Sequence, residues 1–210
     1  LSSVWRAAFK PLVDRIADTD IRLQWFCCDR STGVTDDSGN RTTLIRDTQS
    51  PVAVEYQAVK FIGTGRDNIK AGVFSGWELG DYIYLRSEEA YMIKMEALAH
   101  KGSAEAVTEL NSFMKTRQPD YNYTFTNKAD LIEEIIYQKR VEFWGEGLEY
   151  IDNRRLNIPV DRTDETWGAE NNNHFSAGKF RYNQEDRPFL YQLPLSEIEN
   201  NSQLSPSDQN

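Results

Sequence analysis

Cysteine and histidine are scarce in this chain, and their scarcity excludes several kinds of site. The only two cysteines among the 210 residues, Cys27 and Cys28, are adjacent. Adjacent cysteines form a strained ring when bridged, so we interpret the pair as buried thiols and not as part of a disulfide framework. Because His100 and His174 are the only histidines, a zinc site built mainly from histidine is excluded. We therefore expect no metal ion and no cofactor.

Long apolar runs and an excess of basic residues are also missing. The longest uninterrupted apolar runs have four residues, at 25–28 and 82–85, whereas a membrane-spanning helix needs about 20. The chain has 24 lysines and arginines against 33 aspartates and glutamates, so its formal net charge is −9. Proteins that bind a nucleic-acid backbone or an anionic lipid surface carry a basic footprint. The charge balance therefore excludes both classes of partner from our prediction.

Aromatic residues, by contrast, are abundant. They make up 12% of the chain and include five tryptophans, which is too many for a disordered segment. A chain of this length can bury a substantial core. The sequence begins at Leu1 and not at a methionine, so we interpret it as a piece of a longer protein or a processed form.

The chain changes character near residue 80. In residues 1–80 an amphipathic start, interrupted by Pro11, leads into short strands at 21–26 and 52–62, between loops rich in glycine, serine and asparagine. From residue 81 the apolar residues follow helical spacing. We expect a mainly α fold, in which a helical scaffold supports long irregular loops and a few short strands.

The helical region opens with a predicted helical hairpin. Residues 87–101 and 104–116 have apolar positions three and four apart, and Gly102 and Ser103 lie between them. Glycine ends helices and serine caps them, and so short a connection makes the two helices antiparallel. The pattern is that of one tetratricopeptide-type repeat, whose exposed apolar face needs further helices to cover it.

A longer helix is predicted over residues 128–151, with Gly145 and Gly147 as its weak points. Three glutamates at positions i, i+4 and i+7 would share one face of this helix. They are Glu142, Glu146 and Glu149.

Aligned carboxylates can form a metal platform or a hydrolytic pair. Di-metal carboxylate bundles add a histidine to such glutamates, and a hydrolytic pair lies across a cleft on separate elements. Neither condition is met, so we interpret the charged residues of this region as a structural ion-pair network. Its proposed members are Arg140, Glu142, Glu146 and Arg154.

No other catalytic signature is present. Residues 63–68 begin like a dinucleotide-binding loop but lack the third glycine. Ser75 does not have the glycine spacing of a nucleophile elbow. We therefore expect a binding protein and not an enzyme.

Aromatic residues in polar loops are the remaining functional signal. Flat rings can stack on the C–H faces of a neutral, hydroxyl-rich ligand such as a sugar, while nearby amides and carboxylates orient it. The alternative is that these rings fasten the loops to the scaffold. Our candidates for ligand contact are Trp77, Tyr121, Tyr123 and Trp167.

Residues 81–210 also resemble the SusD-like (SusD/RagB) family, in five segments that occur in the family's order. Residues 81–99, DYIYLRSEEAYMIKMEALA, are similar to the family run D-x-x-x-L-R-x-A-E-x-Y-L-x-x-A-E-A-L-A. Four further segments are similar, namely Leu110-Asn111 with Arg117, residues 138–147, residues 152–155, and residues 191–201. Gln138 stands where the family usually has glutamate, and Asn201-Ser202 where it usually has Asn-Pro.

The resemblance implies a mainly helical, tetratricopeptide-like fold that binds glycans or other nutrient oligomers without catalysing a reaction. It implies a surface-exposed lipoprotein of the Bacteroidetes outer membrane, anchored through an upstream cysteine, that delivers its ligand to a SusC-like TonB-dependent transporter. We therefore expect residues 81–210 to be the C-terminal helical region of a longer protein, and residues 1–80 a loop-rich segment with a weaker match. The alternative is a helical-repeat module that binds another protein and no sugar.

Overall fold

A computed structural model describes residues 8–27, 57–58, 60, 85–186 and 192–208. The chain divides into two compact units, residues 1–142 and residues 143–210. The change of character expected near residue 80 lies outside the described residues, as does most of the predicted strand at 52–62. Helices predominate over strands in the described part, which confirms the mainly α fold class. None of the helices described there is long and apolar enough to cross a bilayer.

In its described residues, the first unit contains four α-helices and one short strand pair. The helices are α1 (Lys10–Asp14), α2 (Ser87–His100), α3 (Glu105–Met114) and α4 (Lys128–Glu142). Strands β1 (Phe26–Cys27) and β2 (Gln57–Ala58) are antiparallel, with Phe26 opposite Ala58. Helix α1 begins at Lys10 and has Pro11 in its first turn. Proline has no backbone N–H, but the N–H groups of a first turn have no partner within the helix, so no hydrogen bond is lost.

The predicted strand at 21–26 is wrong over most of its length. Residues Ile21–Trp25 form a 3-10 helix, and only Phe26 continues into β1. The Asp20 carboxylate accepts the backbone N–H of Arg22 at 2.9 Å and so caps the turn. Such a local side-chain acceptor offers the backbone an alternative to a strand ladder.

Helices α2 and α3 form the predicted hairpin, and the turn between them explains its geometry. Gly102 has a φ of 71°, a conformation that side chains with a Cβ rarely adopt. The N–H of Gly102 bonds to Ala99 O and that of Ser103 to Leu98 O, both at 3.0 Å, which is the Schellman ending of a helix. Ser103 Oγ then accepts the N–H of Glu105 at 3.3 Å. One glycine and one serine therefore end α2 and begin α3, as predicted.

Helix α4 supplies a stacking partner that the hairpin needs, because α2 packs against both α3 and α4. Each helix buries residues that are three or four positions apart. The core side chains of the three helices are Met92, Met95, Ala99, Ala106, Leu110, Met114, Leu131, Ile135 and Val141. Leu23 and Phe26, from the 3-10 helix and β1, are also buried.

A buried carboxylate at the C-terminal end of α4 joins distant parts of the first unit. The side chain of Glu142 is only 1% exposed and lies 3.5 Å from Arg22 Nη1. It accepts hydrogen bonds from Arg86 Nη1 at 3.0 Å and from Arg117 Nη2 at 3.1 Å. We call Glu142 and these three arginines the Glu142 cluster.

The backbone carbonyl of Glu142 is part of the same arrangement. It accepts Arg86 Nη2 at 2.9 Å and also Lys60 Nζ. The carbonyls of the last helical turn have no partner within the helix, and a carboxylate near that end is unfavourable for the helix dipole. The surrounding cations compensate for both effects.

Burial and the arginines act in opposite directions on the pKa of Glu142. Burial alone would raise this pKa, but the hydrogen bonds and positive charge of Arg117, followed by Arg22 and Arg86, outweigh it. The pKa of the Glu142 carboxyl therefore lies below its ordinary value of 4.5. Glu142 is ionised at neutral pH and stabilises the folded state in that form.

The second unit begins where the predicted long helix breaks. Helix α4 ends at Glu142 and α5 (Leu148–Arg155) begins after a turn in which Gly145 and Gly147 have φ values of 78° and 87°. A right-handed helix cannot continue through two such residues. The expected alignment of Glu142, Glu146 and Glu149 on one helical face is therefore wrong.

The other described residues of the second unit form short elements, three of which are tied together by side-chain hydrogen bonds. They are β3 (Val160–Asp161), α6 (Asp164–Trp167), β4 (Arg181–Tyr182) and α7 (Leu195–Asn200). Strands β3 and β4 are antiparallel, with Asp161 opposite Arg181. The Asp161 carboxylate accepts Arg181 Nη1 at 2.6 Å and Thr166 Oγ1 at 2.7 Å, which ties β3 to both β4 and α6.

The pH dependence of stability tests the Glu142 cluster. Glu142→Gln leaves three arginines facing a neutral amide, so we expect the free energy of unfolding at pH 7 to fall by about 3–5 kcal/mol. Because the pKa is lowered in the folded state, this loss should be complete above about pH 5 and should shrink as the pH falls below 4.5. Urea unfolding at a series of pH values measures it.

Glu133→Gln is the matched control, since Glu133 is exposed on the same helix. We expect it to change stability by less than about 0.5 kcal/mol. A Glu142→Gln protein as stable as the wild type at pH 7 would contradict the role given to the cluster.

The turn between α2 and α3 generates a second prediction. Gly102→Ala should lower the free energy of unfolding by about 1–2 kcal/mol, because a Cβ in the left-handed region is strained even where space is open. Nothing lies within 4 Å of the added Cβ, so a clash does not contribute. Gly102→Asn should cost less, since asparagine tolerates this conformation. Equal losses for both variants, measured by urea unfolding, would be evidence against this explanation.

Candidate functional site

Two of the four aromatic candidates, Tyr121 and Tyr123, line one cavity of the first unit. The cavity has a volume of about 390 Å³, within the range of about 300–1,000 Å³ typical of small-molecule sites. Its walls come from the segment after α1, the loop between α3 and α4, and α4 itself. The lining residues are Arg15, Ile16, Ala17, Asp20, Gln118, Asp120, Tyr121, Asn122, Tyr123, Glu134, Tyr137 and Gln138.

The loop that carries both tyrosines is held from two sides. On α3, the Asn111 side chain donates to Tyr123 O at 3.0 Å and accepts the Tyr123 N–H at 2.6 Å. On the other side, Thr19 Oγ1 donates to the Asp120 carboxylate at 2.6 Å. Asn111 belongs to one of the segments that resemble the SusD-like family, and its contact with Tyr123 is a physical reason for an asparagine there.

Glu134 organises the hydrogen bonds of the cavity wall. Its Oε1 accepts the Tyr121 hydroxyl at 2.8 Å and Gln138 Nε2 at 2.7 Å. Its Oε2 accepts Arg15 Nη2, and the Arg15 guanidinium also lies 3.8 Å above the ring of Tyr137. One carboxylate thus fixes an aromatic ring, an amide and a cation in the same wall.

The two tyrosine hydroxyls differ in what they contact. Burial, followed by the charge of Glu134, raises the pKa of Tyr121, so its hydroxyl remains the proton donor to that carboxylate. The hydroxyl oxygen of Tyr123 is buried and has no hydrogen-bond partner in the described part of the chain. Buried polar groups are nearly always paired. Tyr123 therefore differs from Tyr121, whose hydroxyl is paired with Glu134.

The other two aromatic candidates are Trp77 and Trp167. Trp77 falls outside the described residues. Trp167 lies in α6 of the second unit, where its Nε1–H donates to the backbone carbonyl of Asp161 at 2.9 Å. This contact fastens α6 to β3, although the residue is still 37% exposed. This hydrogen bond supports the alternative that the Trp167 ring fastens its loop to the scaffold.

Two of the proposed ion-pair residues, Glu142 and Arg154, have defined hydrogen-bond partners. Glu142 contacts Arg22, Arg86 and Arg117, and Arg154 in the second unit donates to the backbone carbonyl of Gln184. Arg140 precedes Glu142 by two positions, and residues two apart on a helix do not face each other.

Glu146 lies in the turn after α4. The three arginines of the Glu142 cluster were missed as its partners because they are remote in sequence. The available signal was that Arg86 and Arg117 both fall in segments similar to the family.

Glu142 is unsuited to acid–base chemistry in this setting. Its side chain is 1% exposed and is surrounded by guanidinium groups, so a ligand has no access to it. Among the described residues, no group of three or more His, Cys, Asp and Glu side chains is placed to hold a metal ion. The polar arrangement of the cavity can instead orient a bound molecule through hydrogen bonds and ring contacts.

Comparison with known proteins adds the following similarities. The model of the SusD family matches residues 19–210. A crystal structure of a SusD-like carbohydrate binding protein from Bacteroides vulgatus ATCC 8482 is similar over 92% of this chain, with a TM-score of 0.58 and 21% identity. This chain spans 40% of that structure's length. The comparison with curated proteins found no significant match.

The contrast between the two hydroxyls predicts that their removal affects stability differently. Tyr121→Phe removes a hydrogen bond to a carboxylate, so we expect the free energy of unfolding to fall by about 1.5 kcal/mol. Tyr123→Phe removes a buried hydroxyl that has no partner, so stability should stay within about 0.5 kcal/mol of the wild type or rise. Thermal and urea unfolding of both variants measure this difference. A larger loss for Tyr123→Phe than for Tyr121→Phe would contradict the assignment.

Proposed function

This chain belongs to the SusD family, and we propose that it binds a glycan in the cavity beside Tyr121 and Tyr123. The observation that carries the proposal is that this cavity combines two tyrosines with a polar wall in a member of this family. The similar structure from Bacteroides vulgatus is described as a carbohydrate binding protein, which supports a glycan as the ligand class.

The geometry suits capture of a sugar better than chemical attack on it. Tyrosine rings provide flat apolar surfaces for sugar C–H groups, and side chains held by neighbouring hydrogen bonds lose little freedom when a ligand binds. Glu134 already holds Tyr121, Gln138 and Arg15 in place. We therefore propose binding without catalysis.

Two further residues remain proposed ligand contacts. Trp77 and Trp167 lie in polar segments of the sequence, and the Trp167 residue is 37% exposed to solvent. An exposed indole ring can stack on a sugar even when its N–H is already paired.

We also propose that the protein delivers its ligand to a SusC-like TonB-dependent transporter, as a lipid-anchored protein on the surface of the outer membrane. The support is the resemblance of residues 81–210 to SusD-like proteins, together with family membership over residues 19–210. On the same grounds, we propose that residues 81–210 are the family's C-terminal helical region.

Calorimetry with a panel of neutral hexasaccharides of glucose, mannose and galactose tests glycan binding. We expect at least one of these to bind, and Tyr123→Ala to weaken it by at least about tenfold, since the variant loses the ring surface. The same measurement on Trp167→Ala tests whether Trp167, in the second unit, contacts the glycan. Circular dichroism checks that each variant is folded.

Tyr91→Ala is the control, because Tyr91 is a 53% exposed tyrosine of the first unit that does not line the cavity. It should leave the dissociation constant within about twofold of the wild type. A protein that co-purifies with a membrane transporter but binds no hexasaccharide would instead favour the helical-repeat interaction module.

A further inference from the structure

Gln138 joins the buried Arg22 to the wall of the cavity. The residue is 5% exposed, lies in α4 and lines the cavity. Its amide oxygen accepts Arg22 Nη2, and its backbone carbonyl accepts Arg22 Nη1 at 3.3 Å. Its amide nitrogen donates to Glu134 Oε1 at 2.7 Å. The amide therefore presents its acceptor to Arg22 and a donor to Glu134.

Glu134 transmits the position of this amide to the rest of the wall. Its Oε1 also accepts the Tyr121 hydroxyl at 2.8 Å, and its Oε2 accepts Arg15 Nη2. The Arg15 guanidinium in turn lies 3.8 Å from the centroid of the Tyr137 ring. Tyr121, Arg15 and, through Arg15, Tyr137 therefore depend on where the Glu134 carboxylate lies. Gln138, four residues further along the same helix, is well placed to fix it.

The charges around Gln138 favour a neutral side chain at this position. Arg22 lies 2.7 Å from the Asp20 carboxylate and 3.5 Å from that of Glu142. These two carboxylates already share its charge, so Arg22 has little left to compensate a third. A carboxylate at position 138 would also contact the Glu134 carboxylate, and like charges so close cannot both remain ionised without a large cost.

The charged and titratable groups that surround position 138 and its two partners belong to the cavity lining and to the Glu142 cluster. They are Arg15, Asp20, Arg22, Asp120, Tyr121, Tyr123, Glu134, Tyr137 and Glu142.

We infer that Gln138 is a positioning residue of the candidate site, whose neutral amide holds Glu134, and through it Tyr121 and Arg15, in the arrangement that binds the ligand. The effect on ligand binding rests on the proposed function. Gln138 acts through Glu134 and is not itself a proposed ligand contact.

Gln138→Glu makes the arrangement depend on a proton. A protonated carboxyl at position 138 can donate its O–H to Glu134 and accept from Arg22 with its other oxygen, as the amide does. An ionised one can only accept, so it repels Glu134. This repulsion raises the pKa of the carboxyl pair above the ordinary value of about 4.3. The wall should therefore be intact at low pH and be lost as the pH rises through the raised value.

The first readout uses the ligand-free full chain, labelled with ¹³C at the ζ carbon of tyrosine. Tyr121→Phe identifies the Tyr121 signal. In the wild type this signal should keep its position between about pH 5.5 and pH 8, because neither His100 nor His174 lines the cavity. In Gln138→Glu it should move over the same range. A Tyr121 signal that does not move in this variant would overturn the positioning role.

The second readout is calorimetry with the neutral hexasaccharide of the panel that binds the wild type most tightly. At about pH 8, Gln138→Glu should bind it at least about tenfold more weakly than the wild type, and at about pH 5.5 most of this difference should disappear. Gln203→Glu makes the same chemical change at an exposed residue outside the cavity. This control should stay within about twofold of the wild type at both pH values.

The double variant Glu134→Gln with Gln138→Glu exchanges the donor and the acceptor. The amide introduced at position 134 can donate to an ionised carboxylate at position 138, so no proton is needed. The pH dependence of both readouts should therefore disappear. This variant keeps the test decisive where Gln138→Glu alone does not fold at about pH 8, as checked by circular dichroism. A double variant that remains pH-dependent would overturn the inference.

The proposed function and this inference fail in different ways. If no hexasaccharide of the panel binds the wild type, the glycan function is wrong, and the Tyr121 signal alone decides whether Gln138 positions the wall. If the Tyr121 signal of Gln138→Glu moves with pH while its affinity for the hexasaccharide does not, Gln138 positions the wall but the cavity is not the glycan site.

Discussion

A single buried carboxylate is the interaction on which the first unit depends. Glu142 is 1% exposed, and an ionised carboxylate in such a place is tolerated only if cations and hydrogen-bond donors surround it. Those donors come from the 3-10 helix, from the residue before α2 and from the turn after α3, through Arg22, Arg86 and Arg117. Because each arginine must reach the same carboxylate, the position of one segment constrains the positions of the others.

Arg22 connects this cluster to the candidate site. It contacts Glu142 on one side and holds Asp20 and Gln138, which line the cavity, on the other. Gln138 in turn donates to Glu134, which fixes Tyr121 and Arg15. The wall of the cavity is therefore organised by the same hydrogen-bond chain that stabilises the core. Gln138 suits this chain because its amide can accept from Arg22 and donate to Glu134, whereas the glutamate usual in the family could only accept when ionised.

Much of the fold could be predicted because its signals are local. The mainly helical class, the α2–α3 hairpin and its Gly102–Ser103 turn all follow from apolar spacing and capping chemistry within a few residues. Two predictions failed where local signals competed. Apolar residues at 21–26 favour a strand, but the Asp20 cap favours a 3-10 helix. The apolar stripe continues past Glu142, but Gly145 and Gly147 adopt left-handed conformations that end the helix.

The sequence by itself determined the family, the helical scaffold and the presence of aromatic residues in polar loops, because these depend on composition and short-range pattern. It could not distinguish the hydroxyl of Tyr121 from that of Tyr123, two residues away. That difference depends on Glu134, which belongs to the next helix, and on the clamp that Asn111 places on the loop from α3. Only the tertiary structure decided which tyrosine hydroxyl is paired and which is buried without a partner among the described residues, since hydrogen-bond partners are set by proximity in space and not along the chain.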